Sequence, residues 1–150
     1  MSSLIQRWLS TTGEKGETPR EPLFLSPRVL VLSADLRFYA AVLSAINSRV
    51  WDADWVRSIE AAVEACEHTS VSIVLYDENL PRVEWRKAFE RLRKLRNRPR
   101  ILLAANGVDE RLWRAVLHHH GYDLVARTAD SAQLKRALRF AWLSLQDAAF

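Results

Sequence analysis

Short apolar runs alternate with amphipathic segments along most of this chain, and this alternation constrains the fold more than any other feature. Four apolar runs are too short for core helices and are typical of strands buried on both faces. These runs are residues 29–32, 71–76, 101–105 and 124–126. Residues 51–55 instead alternate apolar with acidic side chains, which favours an edge strand exposed on one face.

Apolar residues recur at helical spacing between these runs, so each intervening segment is predicted to be a helix with one buried stripe. The predicted stripes are Tyr39/Val42/Leu43/Ile46, Ile59/Ala62/Val63/Cys66, Trp85/Ala88/Phe89/Leu92, Leu112/Ala115/Val116 and Leu134/Ala137/Leu138/Ala141. Gly121 is the predicted C-terminal cap of the fourth helix, and Asp130 with Gln133 resembles a capping box that opens the fifth. Five strands alternating with five helices predict an α/β protein with a parallel sheet covered on both faces.

The first 26 residues differ in composition from the rest of the chain. Residues 11–22 combine glycines and prolines with charges of both signs, which predicts a flexible tail or linker ahead of one domain over residues 27–150. The one-face spacing of Leu4, Ile5, Trp8 and Leu9 leaves open a short amphipathic segment that docks on this domain or on a partner. No apolar stretch is long enough to span a bilayer and no secretory signal pattern is present, so we expect a cytoplasmic protein without membrane contact.

A buried strand that ends in a carboxylate is the most informative motif. Within the stretch Val-Leu-Tyr-Asp-Glu-Asn-Leu-Pro, Asp77 ends the apolar run and Pro81 follows four residues later. Together with the order of elements around it, this motif resembles the response-regulator receiver domain, in which the phospho-accepting aspartate ends the third strand. The resemblance covers residues 27–148. It implies a flavodoxin-like (βα)5 fold with strand order 2-1-3-4-5, and a role in bacterial two-component, phosphorelay-type signalling.

The same resemblance shows which parts of a receiver's metal site are missing. Receivers hold a divalent cation with an acidic pair after the first strand, the acceptor aspartate, and a backbone carbonyl two residues beyond it. Asp77 and Asn79 match the last two ligands, whereas the acidic pair falls at Ser33 and Ala34. Asp35, one position later, is expected to cap the first helix, with partial substitution for the missing pair left open. We therefore expect no cofactor and, at most, a weak Mg²⁺ site at Asp77 and Asn79.

Three further positions depart from the receiver pattern. The resemblance places Ala104 where receivers have a Thr or Ser hydroxyl, Arg127 where they have a lysine beside a proline, and Leu124 where they have a switch aromatic. Alanine offers no donor, and arginine keeps the charge in a larger, planar group. We predict a structural role for Asp77. No enzymatic activity is expected, because no nucleophile–base pair, Gly-rich phosphate loop or carboxylate dyad accompanies it.

A degenerate, stand-alone receiver is expected to act by contact with a protein partner or a second copy of itself. In receivers the fourth helix, fifth strand and fifth helix commonly form that contact face. The residues predicted on it are Trp113, Arg114, Arg136, Arg139 and Phe140. The alternative is an ordinary receiver that tolerates a poor Mg²⁺ site and accepts phosphate at Asp77 from a histidine kinase.

A third possibility follows from the distribution of charge. The chain carries a net charge of +4, and the segment 82–100 has nine basic residues against two acidic ones. If the Trp85 stripe faces the sheet, basic side chains cover the outside of the third helix, where they could contact phosphates without sequence preference. They are Arg82, Arg86, Lys87, Arg91, Arg93 and Lys94. No helix-turn-helix, RNP-type motif or zinc-ligand spacing accompanies them, so nucleic acid is not the favoured partner.

The single cysteine, Cys66, is predicted to be a buried, inert thiol.

Overall fold

The computed structural model describes residues 26–148, so the predicted tail, apart from Ser26, lies outside the described residues. Five strands and five helices alternate along this part of the chain. In chain order they are β1 (Arg28–Leu32), α1 (Leu36–Ala45), β2 (Asp52–Val56), α2 (Ile59–His68), β3 (Ile73–Asp77), α3 (Trp85–Leu92), β4 (Arg100–Ala105), α4 (Glu110–His118), β5 (Asp123–Ala126) and α5 (Ser131–Ala148). Among these residues, no helix has both the length and the hydropathy that a bilayer-spanning segment requires.

The strands form one parallel sheet in the order β2-β1-β3-β4-β5, which confirms the predicted flavodoxin-like topology. Strand β2 is an edge strand, as its alternating pattern predicts, and its outward carboxylates are paired with Arg28 on β1. Strand β3 lies in the centre of the sheet and is buried over its whole length. Since all strands run the same way, their carboxyl ends meet at one edge, and Asp77 lies at the middle of that edge.

Successive residues of each strand point to opposite faces of the sheet, and each face has its own core layer. Helices α1 and α5 cover one layer, where Val31 and Leu75 pack with Phe38 and Leu138. Helices α2, α3 and α4 cover the other layer, which contains Leu32, Tyr76, Phe89 and Val116. The two layers therefore fix the sheet, and with it the position of every strand end.

Most of the predicted stripes are buried, but the first helix differs. Leu43 is 44% exposed, whereas Phe38, Val42 and Ala45 face the core. Phe38, Val42 and Ala45 share a helical face at spacings of four and three residues, which places Leu43 on the flank. The second apolar run, residues 71–76, is longer than its strand, since β3 begins at Ile73 and not at Val71.

The helix caps were predicted with mixed success. The capping box of α5 is confirmed, because the Asp130 backbone N–H donates to Gln133 Oε1 at 3.2 Å and the Gln133 N–H donates to Asp130 Oδ1 at 2.8 Å. The predicted cap at Gly121 is wrong in its position. Helix α4 has His119 as its C-cap, and the left-handed residue that follows is His120, with φ 69°. Gly121 comes one residue later and serves a packing role instead.

Candidate functional site

The carboxyl ends of β1, β3 and β5 bring three polar side chains together at one edge of the sheet. Ser33 follows β1 directly, Asp77 is the last residue of β3, and Arg127 follows β5. Asp77 is only 1% exposed and Ser33 is fully buried. A carboxylate in such a position is stable only when charge and hydrogen bonds compensate for its lost hydration.

Arg127 supplies the compensating charge through a two-point contact. Its Nε donates to Asp77 Oδ1 at 2.7 Å and its Nη2 donates to Asp77 Oδ2 at 3.0 Å. The same Nη2 donates to Asp35 Oδ2 at 3.1 Å, so one guanidinium bridges two carboxylates. Its Cζ also lies 5.4 Å from the centre of the Phe38 ring, within the range of a cation–π contact. The hydrogen bond to Asp77 raises the pKa of Arg127 further above its already high value, so this cation is permanent.

Two further donors complete the shell around Asp77. The Ser33 hydroxyl donates to Oδ2 at 2.6 Å, and the Asn79 backbone N–H donates to Oδ1 at 2.9 Å. With the two bonds from Arg127, each carboxylate oxygen receives two hydrogen bonds. A carboxylate has about four lone-pair sites. The hydrogen-bonding capacity of Asp77 is therefore fully used inside the protein.

Ser33 and Asp35 are themselves fixed by neighbouring groups. The Asp35 backbone N–H donates to Ser33 Oγ at 3.0 Å, and the Trp55 indole N–H donates to the Ser33 carbonyl at 2.8 Å. Asp35 caps α1 as predicted, because its Oδ1 accepts from the Arg37 N–H at 2.9 Å. That backbone bond, and then the bond from Arg127, lower the pKa of Asp35 below its usual value. The carboxylates, the hydroxyl and the guanidinium thus form one connected network.

The receiver fold implies a divalent cation at this edge of the sheet, and the residues present do not fit one. Mg²⁺ prefers a shell of oxygen ligands at octahedral positions. Here Arg127 occupies both oxygens of Asp77 and one oxygen of Asp35, and Ala34 offers only an exposed methyl group. The side-chain oxygen of Asn79, as distinct from the backbone carbonyl that receivers use, accepts a hydrogen bond from Asn106 Nδ2 at 2.8 Å. A cationic side chain therefore stands among the carboxylates that a metal would need.

Two further positions at which the chain departs from the receiver pattern carry no polar side chain. Ala104 is the β4 partner of Asp77 in the sheet register and is fully buried. Leu124 is buried on β5. Ala104 therefore places a methyl group beside Asp77 where receivers have a hydroxyl, whereas Leu124 packs in the core layer on the other face of the sheet.

Sequence reasoning assigned Arg127 to the right position but missed its contact with Asp77. It described Arg127 only as a larger, planar replacement for the receiver lysine, and it treated Ser33 only as a missing carboxylate. The structure instead turns both side chains onto Asp77. A planar fork of donors matches a carboxylate at two points, and this property of arginine is the signal that was available in the sequence.

The predicted partner-contact residues are exposed and lie on two helices that flank β5 from opposite faces of the sheet. Trp113 on α4 is 43% exposed and Phe140 on α5 is 56% exposed. Arg136 and Arg139 are exposed beside Phe140, and Arg114 pairs with Glu110 on the surface of α4. All five side chains are therefore close to exposed surface beside β5, but they are divided between α4 and α5.

The basic segment also lies where the sequence predicts. Trp85, Ala88, Phe89 and Leu92 of α3 are buried. The six basic side chains predicted around them are all exposed. Arg82 precedes α3 and adopts a left-handed conformation with φ 73°, and Arg93 and Lys94 follow the helix.

Comparison with known proteins identifies the architecture. No family model matches the sequence, and no curated protein matches it. Among solved structures, the chemotaxis response regulator CheY4 of Vibrio cholerae superposes with a TM-score of 0.70 at 10% identity, over 77% of this chain and 98% of that one. A CheY-like receiver domain protein from Methanospirillum hungatei gives 0.72 at 12% identity, over 82% and 98%. This chain has the response-regulator receiver fold. A response regulator from Thermotoga maritima agrees, with 0.70 at 15% identity over 77% and 97%. Likeness at such identities shows the receiver fold alone.

Proposed function

We propose that this receiver-fold protein is a signalling module of a two-component-type system that acts by protein contact and does not accept phosphate efficiently at Asp77. This proposal rests on the hydrogen bonding of Asp77. Its two carboxylate oxygens receive four hydrogen bonds, from Arg127, Ser33 and the Asn79 backbone.

Phosphoryl transfer to Asp77 would require one of its oxygens to attack phosphorus in line with the leaving group. That attack needs a free lone pair, so bonds to Arg127 or Ser33 would have to break first. Asp35, the second carboxylate of the network, is already bonded to Arg127 and so is not free to hold a metal for the incoming phosphate, and Ala104 would offer the phosphate no hydroxyl. Arg127 supplies the positive charge permanently, which makes the network a constitutive arrangement instead of a switchable one.

A receiver-fold protein that does not accept phosphate would signal through contact with another protein. Exposed aromatic residues beside arginines are typical of the anchors of protein interfaces. Trp113 and Phe140 supply the aromatic groups, and Arg136 and Arg139 supply the charge. The proposed partners are a histidine kinase of the same system, another signalling protein, or a second copy of this chain.

Incubation with acetyl phosphate and Mg²⁺, followed by intact mass measurement, tests the proposal. We expect no adduct of about 80 Da, the mass of one phosphoryl group. The matched control is the variant Ser33→Asp/Ala34→Asp/Ala104→Thr/Arg127→Lys, which restores carboxylates, hydroxyl and lysine and is expected to gain the adduct. An adduct on the unmodified protein that disappears in Asp77→Asn would establish the alternative, a phosphate-accepting receiver.

A further inference from the structure

We propose that a cationic pocket at the opposite end of the sheet binds a small phosphorylated molecule. The pocket lies where β4 begins and where the chain enters β5, so it is separated from Asp77 by the length of the strands. It has a volume of about 320 Å³ and is lined by Arg93, Arg98, Arg100, His120 and Tyr122, among others. This inference does not depend on the function proposed for the Asp77 site.

The charge of the lining selects an anion. Four of the lining side chains carry or can carry a positive charge, and none of the lining residues is acidic. Glu90 lies nearby but bonds to Arg93 Nη2 at 2.9 Å. Within residues 26–148, no carboxylate forms an ion pair with Arg98, Arg100 or His120. Arginine donors match phosphate oxygens at two points, and a doubly charged phosphate ester is the small anion that gains most from several of them.

The pocket is partly organised in advance by Arg100. Its Nε donates to Ser144 Oγ at 3.0 Å and its Nη2 donates to the Ser144 carbonyl at 3.4 Å. Its Cζ lies 5.5 Å from the centre of the Tyr122 ring. A guanidinium has five N–H donors, so donors remain for a ligand after these bonds are made. Holding the side chain in place reduces the entropy that binding would otherwise remove.

The backbone around the pocket is ordered by two turns. Only three non-glycine residues in the described part of the chain adopt left-handed conformations, and Arg98, with φ 44°, and His120, with φ 69°, are two of them. Both line the pocket. His120 has the left-handed conformation that commonly ends a helix, and Arg98 has it in the turn before β4, so the backbone at both positions is fixed by local structure. The turn at His120 is fixed by Gly121, whose N–H donates to the Val116 carbonyl at 2.8 Å.

The shape of the pocket favours a small molecule over nucleic acid. Its volume is at the lower end of the range for ligand sites. Lys87 and Arg91, which would contact a nucleic acid laid along α3, lie outside it. A convex helix surface tracks a phosphate backbone, whereas a concave basic site encloses a single phosphate group.

Titration of the full-length protein with inorganic phosphate and with AMP, followed by amide chemical shifts, tests the inference. We expect saturable shifts confined to the segments around Arg98–Arg100 and His120–Tyr122, with a dissociation constant of order 1 mM or below. Adenosine, which lacks the phosphate, should cause no shifts. Arg98→Asn and His120→Asn should weaken binding at least fivefold, because each removes a hydrogen-bonding side chain from the pocket, and asparagine tolerates the left-handed conformation and so leaves the turn undisturbed.

Arg91→Gln is the matched control, since it removes one positive charge from the outer face of α3 and leaves the pocket intact. It should bind phosphate as the unmodified protein does. The inference is overturned if shifts increase without saturation, if Arg91→Gln weakens binding as much as Arg98→Asn, or if, at about 200 mM salt, a short duplex DNA still binds more tightly than AMP and shifts the outer face of α3. Thermal unfolding of each variant verifies that the fold is retained.

Discussion

Arg127 and Asp77 form a buried ion pair, and removing one member should be far more damaging than breaking a surface pair. We expect Arg127→Met to lower the free energy of unfolding by about 3 kcal/mol, because it leaves a buried carboxylate without its counter-charge. The control is Arg114→Met, whose ion pair with Glu110 joins two side chains that are each 72% exposed. It should lose under about 0.5 kcal/mol. Urea unfolding at pH 7 measures both.

The double variant Asp77→Asn/Arg127→Met tests whether the two residues stabilise the protein through their direct contact. Removing both charges together should recover part of the stability that Arg127→Met loses, because no unpaired charge is left in the core. Equal losses for Arg127→Met and Arg114→Met would contradict the buried-pair account. Losses that simply add in the double variant would contradict the direct coupling of the two residues.

Cys66 is a second residue whose behaviour follows from its surroundings. Burial against the core, and to a lesser degree the charge of Glu67, raise the pKa of its thiol to about 11. At pH 8 the folded protein should therefore carry about 100-fold less thiolate than the unfolded chain. We expect alkylation by iodoacetamide to be slower by at least that factor in buffer than in guanidinium chloride, as measured by intact mass. Rapid alkylation of the folded protein would contradict the predicted inert thiol.

At the scale of elements, the turn from α4 into β5 depends on close packing at Gly121. A Cβ at this position would lie 2.5 Å from Val116 Cγ1 and 2.8 Å from Phe89 Cε2, both in the core. Gly121→Ala should therefore lower the free energy of unfolding by about 1–3 kcal/mol, the usual loss on overpacking. Gly107→Ala is the matched control, because a Cβ there would meet nothing within 4 Å. It should be neutral or slightly stabilising. Similar effects of the two substitutions on the urea midpoint would contradict the packing role.

The elements themselves were largely predictable from the sequence, because each depends on local patterns. The edge position of β2 follows from its alternating acids, and the capping box of α5 follows from the spacing of Asp130 and Gln133. The left-handed turn was not predictable at His120, since a glycine directly after it offered the more favourable choice. Gly121 is instead required by Val116 and Phe89, and contacts of this kind are set by how separate elements pack.

At the scale of the molecule, the topology brings the site residues together and the side chains decide its chemistry. The resemblance to receivers placed Ser33, Asp77 and Arg127 in one pocket, and the parallel strands, whose carboxyl ends meet, bring them together. Sequence reasoning treated the departures from the receiver pattern as missing functions. It could not show that Arg127 reaches back to fill the place of a cation, since that depends on distances between three strand ends. The substitutions at the receiver positions therefore create a hydrogen-bonded network around Asp77, in addition to removing the usual metal ligands.

The charge of the whole molecule gives a final prediction about nucleic acid. The segment 82–100 carries nine basic residues against two acidic ones, and its exposed arc can contact phosphates. A short duplex DNA should bind weakly at about 50 mM salt and undetectably above about 200 mM, because few counterions are released from so small a contact. Fluorescence anisotropy with two unrelated sequences measures this. Reversal of charge at Arg86, Arg91 and Lys94 should abolish the weak binding. Binding that persists above about 200 mM salt, or that distinguishes the two sequences, would instead favour a nucleic-acid function.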